Sequence, residues 1–587
     1  MPIRPPSPIS LGAGLPAHSD HPVSMSIPTW DELFKYQEGD EVVCGSMKSG
    51  YPRMFFHRYI QKIASICVDR FGNPDEDLCL LLPSPRVAQE GQAYLLRQSP
   101  PIQSRTVPFS VAPEVEIQVL LYPKDNLVEA KAFWQLTGDG ISSRFAEMVM
   151  GILGEELSSV EEKSKEKYLK NQEVTPELVS DLEGLKGKSL PLLEGRLAKK
   201  ALKGRIARGL SPDDARPRAL KAGLSSSKPI LEEDVYLYPT GMSAVWHCHD
   251  MIRRARKENV AEGKSVCYSF PYKDTLRVLH QFGSGCHFLG AGGTADIPAL
   301  EAILENQSKD PSQAPILALV TEFPSNPLLR SPDLARLREL ADQNKFVLVI
   351  DETIGNFVNV EVMPYADVVV SSLTKIFSGS GDVMGGGLIL NPNSPHYADL
   401  KAAQETSFED LFFSGDATRL EYSSRDYVSR IIEVDNNTFD ITTYLQSRSL
   451  ADGSTPEDGK VIKTVYYPRY IAPTTYSQSR RFPTLSKGGF GHLFSLTFTS
   501  LAASRAFYDN LDCLKGPSLG TNFTLAAPFT VLAHYSEMDW TEEWGVERGL
   551  IRVSVGQEDI SHLRSVFEKA VKAAEDADRT QKVILKS

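Results

Sequence analysis

The chain has 587 residues, 41% apolar and 24% charged, which leaves room for roughly two to four domains and a large core. Its 63 basic and 75 acidic residues give a net charge of −12, which argues against a general nucleic-acid binder. No apolar run reaches the roughly 20 residues that span a bilayer, and the seven cysteines show no C-x-x-C pair and no metal-site spacing, as suits a cytoplasmic protein without metal.

Residues 1–28 are rich in Pro, Ser and Gly and lack the continuous apolar core of a signal peptide, so irregular backbone is predicted there. An N-terminal region extends to residue 151, with a helix predicted over 55–71 and a strand where Ile117, Val119 and Leu121 alternate. Residues 152–231 are dominated by charge and helix formers and read as an insertion, partly helical or mobile. Its basic patch, from Arg196 to Arg208, reads as a solvated helix face, with an anionic partner as the alternative.

An α/β domain is predicted over 232–437. Val235 to Tyr238 is a strand, and Thr240-Gly241-Met242-Ser243 turns into a helix. Such a turn presents N–H groups and a positive helix end, which suits a phosphate; alone it would be a plain N-cap. The next strand ends near Tyr272. Gly290, Gly292 and Gly293 lack the full G-x-G-x-x-G spacing, so a nicotinamide oxidoreductase is not supported. The run 316–320, a helical pattern over 331–344 and the run 346–350 form strand, helix, strand, the unit of a parallel sheet. Asp351 closes the second strand. Another strand, Val368 to Val370, leads into Ser371-Ser372-Leu373-Thr374-Lys375 and a glycine-rich turn. Asn326, Asp351 and Lys375 are thus expected at one edge of one sheet, where α/β proteins place chemistry. A partly desolvated lysine there loses its proton near neutral pH and becomes a nucleophile or Schiff-base partner. A lone lysine after a core strand would be an ordinary solvated one.

The chain is helical and charged to about residue 437, and 438–587 is read as an α+β domain. There Gly488 to Phe498 is a glycine turn into a strand, and Ile551, Val553 and Val555 alternate against Arg552 and Ser554.

Together, SSLTK with GDVMGG, EFPSNP and the Asp at the end of VLVID resemble the Cys/Met-metabolism family of pyridoxal-phosphate (PLP) enzymes. The likeness runs from about Val235 to the C-terminus and is strongest to the fungal type of cystathionine γ-synthase, which also has a long N-terminal region. It implies a PLP-dependent aminotransferase-like (fold type I) large domain with a C-terminal α+β domain, and PLP as cofactor. It implies Lys375 as the cofactor-bearing base, Tyr272 stacked on the ring and assisting proton transfer, and Asp351 on the pyridine nitrogen. Asn326 would meet the phenolate oxygen and the substrate. Thr240, Gly241, Met242, Ser372 and Thr374 would hold the phosphate. Arg552 would clamp the substrate carboxylate, bordered by Ser518 and Gly520.

Two departures stand out. The family's Tyr-x-Arg pair, which meets the neighbouring subunit's phosphate, falls on Gln135 and Thr137, so either Arg144 or Arg53 takes that role or the contact is lost. The family often has an acidic residue where SLGTNF places Phe523. The implied activity is γ-replacement, joining O-acetyl-L-homoserine or another O-acyl homoserine to L-cysteine. The alternatives are a sulfide or carbon nucleophile, a cystathionine lyase, or a catalytically silent relative; the last is opposed by Lys375, Asp351 and Arg552 occurring together. A homodimer or homotetramer with shared active sites is implied, with no nucleic acid or membrane partner.

Overall fold

Unbroken β-branched runs form strands covered on both faces, and the central sheet is built from them. Val347–Asp351 and Val368–Ser372 are buried at every position except the last, so Asp351 and Ser372 emerge where their strands end. The structure is a computed structural model and describes residues 9–48, 55–113, 115–154, 190–210, 228–310, 312–455, 459–481 and 488–586.

Among the described residues, seven strands form one mixed sheet. Their order is Val235–Tyr238, Gly386–Leu390, Val368–Ser372, Val347–Asp351, Ala318–Glu322, Ser265–Tyr268 and Cys286–Leu289. Gly386–Leu390 runs antiparallel to both neighbours, and the remaining pairs are parallel. Register sets Glu322 beside Asp351, and Ser372 opposite Gly386, which in turn faces Tyr238. The carboxyl ends of the strands and the first turn of the helix Gly241–Ala255 thereby meet at one edge. A second, five-stranded sheet belongs to the C-terminal part, with Ile551–Ser554 at its centre between Leu493–Phe498 and Leu525–Pro528. This α/β unit followed by an α+β unit is the expected class.

The helix Tyr427–Ser447 runs straight through the boundary expected after residue 437. Its buried face carries Ile431 and Val434 into the core of the large sheet and Ile441 and Leu445 into that of the second. One continuous apolar stripe serves both cores, so no linker separates them there.

On the N-terminal side one expectation is corrected and a second gains a core contact. Within the stretch read as irregular, Gly14–Leu15 pairs with Ser24–Met25, and Leu15, Met25 and Ile27 join the C-terminal core. Small and proline residues masked that signal, because only a few apolar side chains make the contact. Within the stretch read as an insertion, the helix Leu190–Leu210 buries Leu202, Ile206 and Leu210 in the core of the large sheet. Two of its basic residues are paired within the chain: Lys199 with Asp410 at 2.8 Å and Arg205 with Glu421 at 2.6 Å. Residues 155–189 and 211–227 of that stretch lie outside the described residues. The helix predicted over 55–71 spans Arg58–Phe71, with His57 as its N-cap. It packs, with the three-stranded antiparallel sheet that includes Val115–Pro123, into an N-terminal α/β unit.

Candidate active site

A cavity of about 530 Å³ lies at the carboxyl edge of the large sheet, closed on its other side by the C-terminal unit. Gly241, Met242, Tyr272, Asn326, Asp351, Ser372, Lys375 and Arg552 all line it.

Lys375 follows the strand Val368–Ser372, and its Nζ donates to Ser518 Oγ at 2.9 Å. Ser518 is held in turn by the N-terminal strand, its amide donating to Ser24 Oγ at 3.3 Å. Burial, and then the positive charge of Arg552, lower the Lys375 pKa to about 7. A neutral, nucleophilic amine is therefore well populated at physiological pH.

Asp351 ends the neighbouring strand. Its Oδ1 accepts from the Thr353 amide at 2.9 Å and the Thr353 hydroxyl at 2.6 Å. The Thr353 hydroxyl also accepts from the Ser372 amide at 2.8 Å, so it ties the two strand ends together. Burial raises the Asp351 pKa against those two hydrogen bonds. A cation seated on the carboxylate would reverse that shift. Glu322, on the next strand, accepts from the amides of Tyr272 and Asn326. Burial and the charge of Asp351 push its pKa upward.

Arg552 projects from the strand Ile551–Ser554, donates to Asn326 Oδ1 and lies 4.8 Å from the centre of the Phe529 ring. Burial lowers its pKa to about 10, so it stays charged at neutral pH. The positive end of the helix Gly241–Ala255 opens beside Ser372. A Cβ on Gly241 would meet Ser372 Cβ at 2.6 Å, so the bare glycine lets the turn sit against that strand end. The set comprises an amine with a pKa near neutral, a carboxylate at the end of the neighbouring strand, a helix N-terminus for a phosphate and a guanidinium for a carboxylate. This donor set fits pyridoxal 5'-phosphate with an amino-acid substrate.

Two predicted phosphate ligands face elsewhere. The Thr240 hydroxyl caps the helix by accepting from the Ser243 amide at 3.0 Å and donates to Gly138 O at 3.2 Å. Thr374 Oγ1 exchanges hydrogen bonds with the Gly385 amide and carbonyl, at 3.1 and 3.3 Å. Both hydroxyls are engaged by backbone outside the cavity, because the turn needs a cap and the glycine loop needs a tie. Arg144 is buried and paired with Asp416 at 3.2 Å and Asp382 at 3.8 Å, away from this cavity. Arg53 lies outside the described residues. Phe523 packs in the C-terminal core against Gly381 and is not among the residues lining the cavity.

Sequence reading missed several walls of the cavity: Tyr36 and Gln37 from the N-terminal helix, Lys131, Glu322 and His492. Glu322 sat within the EFPSNP motif, and His492 within a run read only as turn and strand. No sequence signal linked Tyr36 or Lys131 to the site, since their approach depends on tertiary packing. Among the described residues, no group of three or more His, Cys, Asp or Glu could hold a metal ion, and no helix is long and apolar enough to cross a membrane.

Residues 232–572 match the family model of Cys/Met metabolism PLP-dependent enzymes, and residues 59–142 match that of the fungal trans-sulfuration enzyme N-terminal domain. The chain is 42% identical to the cystathionine gamma-synthase-like enzyme iboG2 of Amanita muscaria, over 97% of this chain and 98% of that one. It is 36% identical to the cystathionine gamma-synthase of Neurospora crassa, over 97% of this chain and 99% of that one. Among solved structures, cystathionine gamma synthase from Xanthomonas oryzae pv. oryzae matches 65% of this chain and 98% of its own, with 22% identity and a TM-score of 0.48.

Proposed function

The chain belongs to the Cys/Met-metabolism PLP-dependent enzymes, and we propose that it catalyses γ-replacement on an O-acylated homoserine. In this reading it is a cystathionine γ-synthase that joins O-acetyl-L-homoserine, or another O-acyl homoserine, to L-cysteine. The observation that carries the reading is a lysine with a pKa near 7 in one cavity with Asp351 and Arg552.

When bound, PLP supplies an electron sink for charge developing on the amino acid's carbon skeleton. The residues supply the rest. Gly241, Met242 and Ser372 would hold the phosphate at the helix N-terminus. Asp351 would keep the ring nitrogen protonated, and Asn326 would meet the ring oxygen. Arg552 anchors the substrate α-carboxylate, a bidentate task suited to its planar fork. Lys375 would hold the cofactor and, as a base, would move the proton at the substrate Cα; with Tyr272 it would then move the proton at Cβ. The acyl group would leave Cγ as a carboxylate, the thiolate of cysteine would form the C–S bond in its place, and the protons taken from Cβ and Cα would be returned there.

A second reading keeps the same machinery with sulfide or a carbon nucleophile. It is favoured by the 42% identity to a relative named only cystathionine gamma-synthase-like. It is also favoured by the family's often acidic position being Phe523, packed in the core. In either reading we place the enzyme in the cytoplasm as a homodimer or homotetramer acting on small amino acids.

Mass spectrometry of products decides between them. The PLP-loaded protein is given O-acetyl-L-homoserine alone, with cysteine and with sulfide. Cystathionine formed only with cysteine supports the synthase. Acetate release without cystathionine supports the second reading. No turnover of any mixture overturns both.

A further inference from the structure

We propose that His492 is a further substrate-binding residue of this cavity, donating from Nε2 to the carboxylate of the bound amino acid beside Arg552. The proposal rests on the reading of the cavity as an amino-acid site.

The backbone of His492 is fixed. Its carbonyl accepts from the Val555 amide at 2.9 Å, and it stands directly before the strand Leu493–Phe498. That strand pairs with the one bearing Arg552, with Ser495 opposite Arg552. His492, directly before that strand, and Arg552, on its neighbour, both line the cavity with Lys375.

The ring is nearly enclosed, with His492 only 3% exposed. Among the described residues, Nδ1 is sealed from solvent and has no hydrogen-bond partner. Nε2 points toward Gly520: a Cβ there would lie 3.3 Å from Nε2 and 3.1 Å from Lys375 Cβ. Gly520 has a φ of +94°, a conformation that excludes most side chains and keeps this gap open. Nε2 thus packs beside Gly520 and the root of the Lys375 side chain, at the wall of the cavity that His492, Lys375 and Arg552 line.

Burial, then the charge of Arg552, lower the His492 pKa to about 4. The ring is neutral at physiological pH, with one N–H and one lone pair. A sealed N–H with no acceptor is costly, and placing the proton on Nε2 turns the donor toward the cavity. A donor there, next to a guanidinium, is complementary to an anionic oxygen. The carboxylate of an amino acid has about four lone-pair sites on its two oxygens, so His492 can donate to an oxygen that the Arg552 fork also holds. A proton relay is a poorer account, since a group with a pKa near 4 is a weak base at neutral pH.

The test uses the PLP-loaded full chain and two probes. L-norvaline has an α-carboxylate and no γ leaving group; n-butylamine is the same skeleton without the carboxylate. Binding is read as the change in the cofactor's visible absorbance. His492→Leu should weaken norvaline about tenfold or more and shift butylamine less than about twofold, and His492→Gln should restore most of the norvaline affinity. If His492→Leu fails to fold, His492→Met serves as the donor-free variant, being unbranched and adaptable. Norvaline affinity unchanged in the donor-free variant overturns the proposal, as does equal weakening of both probes or failure of His492→Gln to restore affinity. Wild-type protein whose absorbance responds to neither probe overturns the amino-acid reading of the site, and the proposal with it. A missing cystathionine product with these results intact overturns only the assignment of the nucleophile.

Discussion

Lys375 Nζ donates to Ser518 Oγ across the cavity at 2.9 Å, joining the large sheet to the C-terminal unit through the residue that carries the chemistry. Ser518 is itself held by Ser24, so a segment near the start of the chain sets where the lysine points. Replacing Ser518 with Ala removes one neutral hydrogen bond, a net loss of about 0.5–1.5 kcal/mol. Steady-state kinetics should show turnover lowered roughly three- to tenfold with the cofactor still bound. An unchanged rate would mean that the contact does not orient the lysine.

Lys375→Ala should abolish the visible absorbance that PLP gains on joining a lysine, and with it all turnover. Persistence of that band in the purified variant would sink the whole assignment of the site.

Asp351→Asn replaces the charged partner of the pyridine nitrogen with a neutral one. A shielded charge-assisted pair is worth about 2–4 kcal/mol, so kcat should fall by about 30- to 1,000-fold. Thr353 still has an oxygen to donate to, so the thermal midpoint should move little. Retained kcat in the variant would remove Asp351 from the mechanism.

The lowered pKa of Lys375 has a definite sign. The neutral amine is the reactive form, and its fraction grows as pH rises through about 7. The rate at which cofactor-free protein captures PLP should climb about tenfold per pH unit below 7 and level off above it. A stopped-flow profile still climbing at pH 9 would show an ordinary lysine instead.

Asp139 of the N-terminal unit accepts from Ser243 and pairs with His247 Nε2 at 2.9 Å, both on the helix that opens the phosphate site. Asp139→Ala leaves those two buried groups without their partner, each costing about 1–3 kcal/mol. Equilibrium dialysis should show weaker PLP binding, together with a lower thermal midpoint. Unaltered PLP affinity would confine Asp139 to a purely structural role.

Much of this was legible in sequence because the signals are local. Val368 to Val370 is an unbroken β-branched run, so it is a covered strand wherever it sits. Asp351 and Lys375 follow such runs directly, and strand ends place them at one edge. The Thr240 turn was legible as a helix start for the same reason, but not the direction of its hydroxyl, which the Gly138 carbonyl decides from 102 residues away.

By itself, then, the sequence determined the order of strands and helices, the family, and the residues whose side chains leave a strand end or begin a helix. Periodicity and turn chemistry act over a few neighbouring residues, and those features depend on nothing further. Tertiary structure alone decided that Ser24 and Tyr36 approach the site, that Leu190–Leu210 belongs to the core, and that His492 shares a cavity with Arg552. It also set the proton equilibria of Lys375 and His492, because desolvation comes from distant segments packing around them.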